Sequence, residues 1–217
     1  SIVVTILLPS EQPENTVMEG NPHLIQTKYF FTRKLLFLKE SSGVVLFPGG
    51  FGTMDEAFEV LTLLQTGKTH PFPVVLVDEP GGTYWAMWRR FLENSLLKTG
   101  MISAEDFSLF RITSSVEEAV REIHGYYRVF HSMRYVGRDL VIRIREPLAP
   151  DALAALNRDF PDLHVEGSIS QGKALPEEAD EPEIADLSRI VFRFNSGSQG
   201  RLRQLIDHLN GPVRDDQ

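Results

Sequence analysis

Cysteine is absent from the 217-residue sequence. Disulfides, thiolate nucleophiles and zinc sites with cysteine ligands are therefore excluded, and the absence fits a reducing compartment. No apolar run approaches the ~18 residues that a membrane-spanning helix needs. The start of the chain also lacks the basic-then-apolar order of a signal peptide. We therefore expect a cytoplasmic protein with no membrane partner.

Basic residues are in the minority, with 22 Lys and Arg against 30 Asp and Glu and a formal net charge of -8 at pH 7. A nucleic-acid binder needs a basic face, so the composition argues against a nucleic-acid partner. The six histidines match no metal pattern such as HExxH. The GxSxG elbow of a serine hydrolase is also missing. We expect no metal and no other cofactor.

Strand and helix patterns alternate over the first part of the chain. Strands are predicted at 2–8, 44–47, 73–77 and 107–112, and helices at 28–42, 52–67, 83–100 and 115–133. Ser115 and Glu118 form a capping box for the last helix. This alternation predicts an α/β fold, a Rossmann-like doubly wound parallel sheet over 1–132. The run at 2–8 is so apolar that it needs neighbours on both sides, so we expect further sequence upstream of Ser1.

The pattern changes after about residue 132. Strands are predicted at 138–148, 163–170 and 189–195, and helices at 149–160 and 197–209. The segment 175–186 is acidic and contains prolines, so it predicts a solvated, mobile loop. We therefore expect a small C-terminal α+β appendage over 133–217.

The sequence FPGGFGT at 47–53 joins a predicted strand to a predicted helix. Gly49, Gly50 and Gly52 remove the Cβ atoms that would keep a ligand from the backbone, and Thr53 adds a hydroxyl donor. Together with the free N–H groups of the helix start they predict a phosphate site. A P-loop is excluded because no lysine precedes Thr53. A dinucleotide loop, which would need a glycine where Asp55 stands, and a glycine turn without ligand remain as alternatives.

Glu56 lies one turn into this helix, where its charge would repel a phosphate. The position makes sense if the carboxylate serves a group beyond the phosphate. In a nucleoside monophosphate that group is the ribose, and cleavage of its bond to the base builds positive oxocarbenium character. A carboxylate can stabilise that charge or orient the attacking water.

The segment PGGFGTMDE at 48–56 resembles the PGGxGTxxE signature of the LOG (LONELY GUY) family, long labelled "possible lysine decarboxylase". The segment YFFTRK at 29–34 supplies the Arg-Lys pair that this family carries on the preceding helix, and the resemblance spans about 2–123. It implies a phosphoribohydrolase of cytokinin activation, which hydrolyses the N-glycosidic bond of a purine nucleoside 5'-monophosphate, AMP-like or N6-modified. The products are free base and ribose 5-phosphate. No lysine constellation for pyridoxal phosphate chemistry stands out.

The resemblance also implies roles for single residues. Arg33 and Glu56 would be the catalytic pair. The substrate's phosphate would be held by Lys34, Gly49, Gly50, Gly52 and Thr53. Family members resemble dimers, so a homodimer or higher homo-oligomer is expected, and the helix with Trp85 and Trp88 either packs in the core or forms the interface. The alternative is a nucleotide-binding or regulatory protein without catalysis.

Overall fold

The computed structural model of the chain describes residues 3–6 and 20–211. It forms two compact units, of which the first ends at Ser42 and the second begins at Gly43. Over the described ranges, none of the helices is both long enough and apolar enough to cross a membrane.

The first unit contains a pair of parallel strands and one helix. These are β1 (Val3–Ile6), β2 (Leu24–Thr27) and α1 (Phe30–Glu40). The strand predicted at 2–8 is confirmed over 3–6, and its remaining residues lie outside the described ones. Strand β2 was not predicted. Its apolar and polar residues do not alternate as they do in a typical strand. The Thr27 hydroxyl donates a hydrogen bond to the Thr5 carbonyl at 2.9 Å, which joins β2 to β1.

The second unit begins with alternating strands and helices around a parallel sheet. They are β3 (Val44–Leu46), α2 (Phe51–Gln65), β4 (Val74–Val77), α3 (Tyr84–Phe91), β5 (Arg111–Thr113) and α4 (Val116–Tyr126). The strand order is β3-β4-β5. The central strand β4 is buried along its whole length, as the unbroken apolar run at 74–77 predicts. Mixed α/β structure is therefore confirmed.

The predicted helix at 83–100 is α-helical only to Phe91. It continues as a π-helical segment, Leu92–Leu97, and both tryptophan rings of α3 are buried within the chain. The core role expected for Trp85 and Trp88 is confirmed. The ring of Trp88 also packs edge-on against Phe110, with the ring centroids 5.3 Å apart.

The strand predicted at 107–112 is wrong over its first half. A 3-10 helix, Glu105–Leu109, occupies that half, and β5 starts only at Arg111. The reason lies in a side chain: Asp106 accepts hydrogen bonds from the Ser103 N–H at 2.8 Å and from the Gln65 amide at 2.7 Å. These contacts stabilise a turn where the apolar sequence alone favours a strand.

The last predicted helix of this half starts as expected but ends early. Ser115 caps α4 by accepting from the Glu118 N–H at 3.2 Å. The helix ends at Tyr126 rather than near 133. Asn210, more than 80 residues away, donates to the Tyr126 carbonyl at 2.6 Å and accepts from the N–H groups of Val129 and Phe130. This contact satisfies the backbone at the helix end and starts the next strand.

The C-terminal part forms an antiparallel sheet with two helices. Its elements are β6 (Phe130–Val136), β7 (Asp139–Ile144), α5 (Pro150–Asp159), β8 (Ser170–Gly172), β9 (Ser188–Phe192) and α6 (Gln199–Asn210). The strand order is β6-β7-β9-β8. The strand predicted at 163–170 is wrong, because only an isolated bridge at His164 and the short β8 pair in that region. Strand β6 begins inside the helix that was predicted to reach 133 and continues beyond it to Val136.

Most residues of the acidic segment 175–186 are exposed, as its composition predicts, but the segment is bonded to the sheet. It contains two 3-10 turns, Pro176–Glu178 and Pro182–Ile184, and Glu178 is buried. Its carboxylate accepts from Arg143 Nε at 2.8 Å and Arg189 Nε at 3.0 Å, both in the sheet. Burial raises the pKa of Glu178, but the hydrogen bonds from Arg189, the Leu175 N–H and Arg143 outweigh it, so the pKa lies below its usual value.

Candidate functional site

The glycine-rich loop lies between the end of β3 and the start of α2. Gly50 is the N-cap residue, and its carbonyl accepts from the N–H groups of Thr53 at 3.1 Å and Met54 at 3.3 Å. Because the N-cap is a glycine, it has no side chain to cap the helix, and the first turn carries no acidic residue. A helix start of this kind can hold an anion.

The three glycines of the loop differ in what surrounds them. A Cβ at Gly49 would come within 2.2 Å of the Thr53 hydroxyl oxygen, so glycine here lets Thr53 fold back on the loop. A Cβ at Gly50 or Gly52 would meet no atom of the described chain within 4 Å. Neither residue has a positive φ. Packing and backbone conformation thus explain the glycine at 49 but not those at 50 and 52, where open space adjoins the backbone.

The position of Glu56 is set by the same helix, α2. It lies three residues after Thr53 in α2, so the two side chains are neighbours on one face. Glu56 is half-buried, whereas the neighbouring Asp55 is exposed. The loop and α2 together therefore bring together the glycines, the Thr53 hydroxyl and one partly shielded carboxylate.

The Arg-Lys pair lies on α1, in the first unit. Arg33 and Lys34 are both half-buried, and the Arg33 guanidinium lies 6.0 Å from the centre of the Phe37 ring. Arg33 is therefore not a fully exposed surface cation. Its pairing with Glu56, which belongs to the second unit, stays a prediction.

One residue that contacts the loop is not among the residues predicted to form the site. The Tyr84 hydroxyl, from the start of α3, donates to the Gly49 carbonyl at 2.6 Å. From the sequence, this helix is expected only to pack in the core or to form an interface. The contact joins residues 35 positions apart, so no local spacing could have indicated it.

Metal binding has no candidate in this region. Across the described parts of the chain, no group of three or more His, Asp or Glu side chains is placed to hold a metal ion.

The chain resembles known proteins over its first half. The sequence profile of the family described as "possible lysine decarboxylase" matches residues 1–123, more than half of the 217 residues. The chain belongs to this family. The predicted family resemblance is confirmed by this match.

Curated relatives of this family member carry a more specific name. A cytokinin riboside 5'-monophosphate phosphoribohydrolase of Mycobacterium tuberculosis is 36% identical over 98 residues, 45% of this chain and 50% of the relative. A protein of the same name from Arabidopsis thaliana is 31% identical over 94 residues, 43% and 42% of the two chains. A bifunctional cytokinin biosynthesis protein of Fusarium pseudograminearum is 34% identical over 100 residues, 43% of this chain and 20% of that protein. The chain spans about half the length, or less, of these relatives.

Proposed function

We propose that the protein hydrolyses the N-glycosidic bond of purine nucleoside 5'-monophosphates, AMP-like or N6-modified. Water supplies the oxygen that bonds to C1' of the ribose while the bond from C1' to the base nitrogen breaks. One proton stays on the new hydroxyl and the other goes to the base. The names of the curated relatives support this reaction class.

The observation that carries the proposal is the open space at Gly50 and Gly52. Two glycines that neither packing nor φ requires stand at a helix start whose N-cap residue is itself glycine. A phosphate needs such close access to backbone N–H groups and gains from the helix dipole.

In the proposed site each residue has a separate task. The backbone at Gly49, Gly50 and Gly52 and the Thr53 hydroxyl hold the 5'-phosphate, with Lys34 nearby. Glu56, one turn further along α2, stabilises the positive charge that develops on the ribose. Arg33 orients phosphate and ribose.

The Glu56→Gln variant tests the catalytic role. It keeps the size of the side chain but removes its charge, so base release from AMP is expected to fall about a hundredfold or more. AMP binding should persist, because Glu56 does not hold the phosphate. Chromatography of an AMP incubation measures free adenine, and equilibrium dialysis measures binding.

Asp55→Asn is the matched control. It removes an exposed carboxylate one residue earlier in α2 and should keep adenine release near the wild-type rate. Full activity of the Glu56→Gln protein would exclude Glu56 from the chemistry.

A nucleotide-binding protein without catalysis is the second candidate. The glycine loop favours it equally, because a phosphate cradle serves binding as well as hydrolysis. AMP that binds to the wild-type protein yet stays intact over a long incubation would identify this alternative.

The finer architecture and the assembly belong to the same proposal. The parallel sheet and its helices would form a Rossmann-like doubly wound domain ending at 132, and residues 133–217 a small α+β domain. The separate sheets support this division, although α6 also packs on the 3-10 helix Glu105–Leu109 and the second compact unit runs across residue 132. The protein would act as a homodimer or higher homo-oligomer.

A further inference from the structure

The start of α3 is fixed to the end of β4. Asp78, buried at the end of this strand, accepts from the Trp85 N–H at 3.1 Å and from the Glu79 N–H at 3.2 Å. The indole N–H of Trp85 donates to the Val77 carbonyl at 3.2 Å. Because Trp85 is fully buried, these bonds are shielded from water and hold the first turn of the helix in place.

Tyr84 stands on this fixed turn and reaches the glycine loop. Its ring packs edge-on against Trp85, with centroids 4.8 Å apart and an interplanar angle of 86°. Its hydroxyl donates to the Gly49 carbonyl at 2.6 Å. The position of the hydroxyl is thus set by α3 and β4, and the loop is held by an element outside itself.

The bond sets the direction of one peptide group. In a trans peptide the carbonyl of one residue and the N–H of the next point to opposite sides. When the Gly49 carbonyl faces Tyr84, the Gly50 N–H faces away from it. Glycine on both sides makes rotation of this peptide easy, so the loop itself does little to hold it.

We propose that Tyr84 is a positioning residue, which orients the Gly50 N–H toward the phosphate of the substrate by holding the Gly49 carbonyl. The inference rests on the phosphate site proposed above. Tyr84 does not touch the reacting atoms. It removes the cost of ordering a flexible peptide when the phosphate binds.

The Tyr84→Phe variant tests this role because it keeps the ring and removes only the hydroxyl. The loss of one hydrogen bond corresponds to an about fivefold change in affinity. We expect the Kd of ribose 5-phosphate, measured by titration calorimetry, to rise by this factor. The KM for AMP should rise in parallel while kcat stays the same, and turnover of adenosine, which lacks the phosphate, should not change.

Tyr126→Phe is the matched control. The Tyr126 hydroxyl also donates to a backbone carbonyl, that of Pro71 at 2.8 Å, but in the buried core. Its removal should lower stability at least as much as Tyr84→Phe and leave the Kd of ribose 5-phosphate unchanged. A general loosening of the fold would instead affect both variants.

Two results would overturn the inference, and they differ. If wild-type protein binds ribose 5-phosphate and Tyr84→Phe binds it equally well, Tyr84 has no positioning role and the phosphate site stands. If wild-type protein binds neither ribose 5-phosphate nor AMP, the proposed site is absent and the inference falls with it.

Discussion

Gly52 occupies a position in the first turn of α2 where alanine would suit the helix better. Glycine in a helix costs about 0.5–1 kcal/mol relative to alanine, and a Cβ at this position meets no described atom within 4 Å. We expect Gly52→Ala to raise the free energy of unfolding by about 0.5 kcal/mol. The same Cβ should fill the space of the phosphate and weaken ribose 5-phosphate binding. Urea unfolding and calorimetry measure the two effects.

Gly49→Ala is the comparison for this prediction. There the new Cβ would clash with the Thr53 hydroxyl, 2.2 Å away, so stability should fall. A Gly52→Ala protein that binds ribose 5-phosphate as tightly as wild type would show that the open space at Gly52 does not belong to the phosphate.

The residues of the loop itself could be predicted from the sequence, but the contact from Tyr84 that supports the loop could not. Glycines, Thr53 and Glu56 follow one another within a strand-to-helix junction, so their neighbourhood is fixed by local geometry. Tyr84 reaches the loop only through the packing of α3 on β4. Such a contact depends on tertiary structure that no periodicity encodes.

At the scale of elements, two of the failed predictions share one cause. The starts of α2 and α4 are predicted well because residues beside them indicate a helix start: the glycines of the loop before α2, and Ser115 before α4. The end of α4 depends on the distant side chain of Asn210, and the 3-10 helix before β5 depends on Asp106. Where a side chain bonds to a distant segment, as Asn210 does to Tyr126 and Asp106 to Gln65, local propensity does not decide the structure.

The acidic segment 175–186 is held to the sheet by Glu178. Its side chain and that of Arg189 are fully buried, and Arg143 is nearly so. Removing one partner of a buried ion pair leaves the other charge uncompensated, at a cost of about 3–5 kcal/mol. We expect Glu178→Gln to lower the free energy of unfolding by about 3 kcal/mol, at the low end because the amide oxygen still accepts one bond. Urea unfolding at pH 7 measures the loss.

Glu177→Gln provides the control, since its exposed side chain precedes Glu178 directly. It should change stability by less than about 0.5 kcal/mol. An equal loss in both variants would mean that acidic charge in the segment, rather than the buried pair, stabilises the fold.

The stability difference between wild type and Glu178→Gln is also expected to depend on pH. The pKa of Glu178 is below its usual value in the folded protein, so the unfolded chain takes up this proton first as the pH falls. The stability that Glu178 contributes is therefore complete above about pH 5 and is lost as the pH falls through its folded pKa. The difference between wild type and Glu178→Gln should narrow below about pH 5, whereas a constant difference would contradict the lowered pKa.

At the scale of the whole molecule, the α/β alternation of the first part could be predicted because buried strands and amphipathic helices differ in period.

The surface of the second unit has a property that this alternation does not explain. Large apolar side chains are exposed there between residues 43 and 101: Phe47, Phe51, Phe58, Met87, Phe91 and Met101. Phe51, inside the glycine loop, is 97% exposed. Exposed apolar surface of this kind is typical of an interface.

The proposed homo-oligomer accounts for this surface, and α3 offers the test. Trp85 and Trp88 point into the core, so Met87 and Phe91, one turn apart, mark the outer side of the helix. A carboxylate at Met87 should weaken an apolar interface, because burying a charge is costly even beside Arg90, whose guanidinium lies 3.9 Å from the Met87 sulfur. We expect wild-type protein to show a multiple of the single-chain mass by light scattering, and Met87→Glu to shift toward one chain on dilution.

Val165→Glu separates the interface from a general effect of charge. Val165 is also exposed, at 62%, but lies in the C-terminal part, far along the chain from α3. This variant should keep the mass of the wild-type assembly. A wild-type protein of single-chain mass would contradict the oligomer outright. An assembly that survives Met87→Glu would contradict an apolar interface at Met87, because even a carboxylate paired with the neighbouring Arg90 is costly to bury.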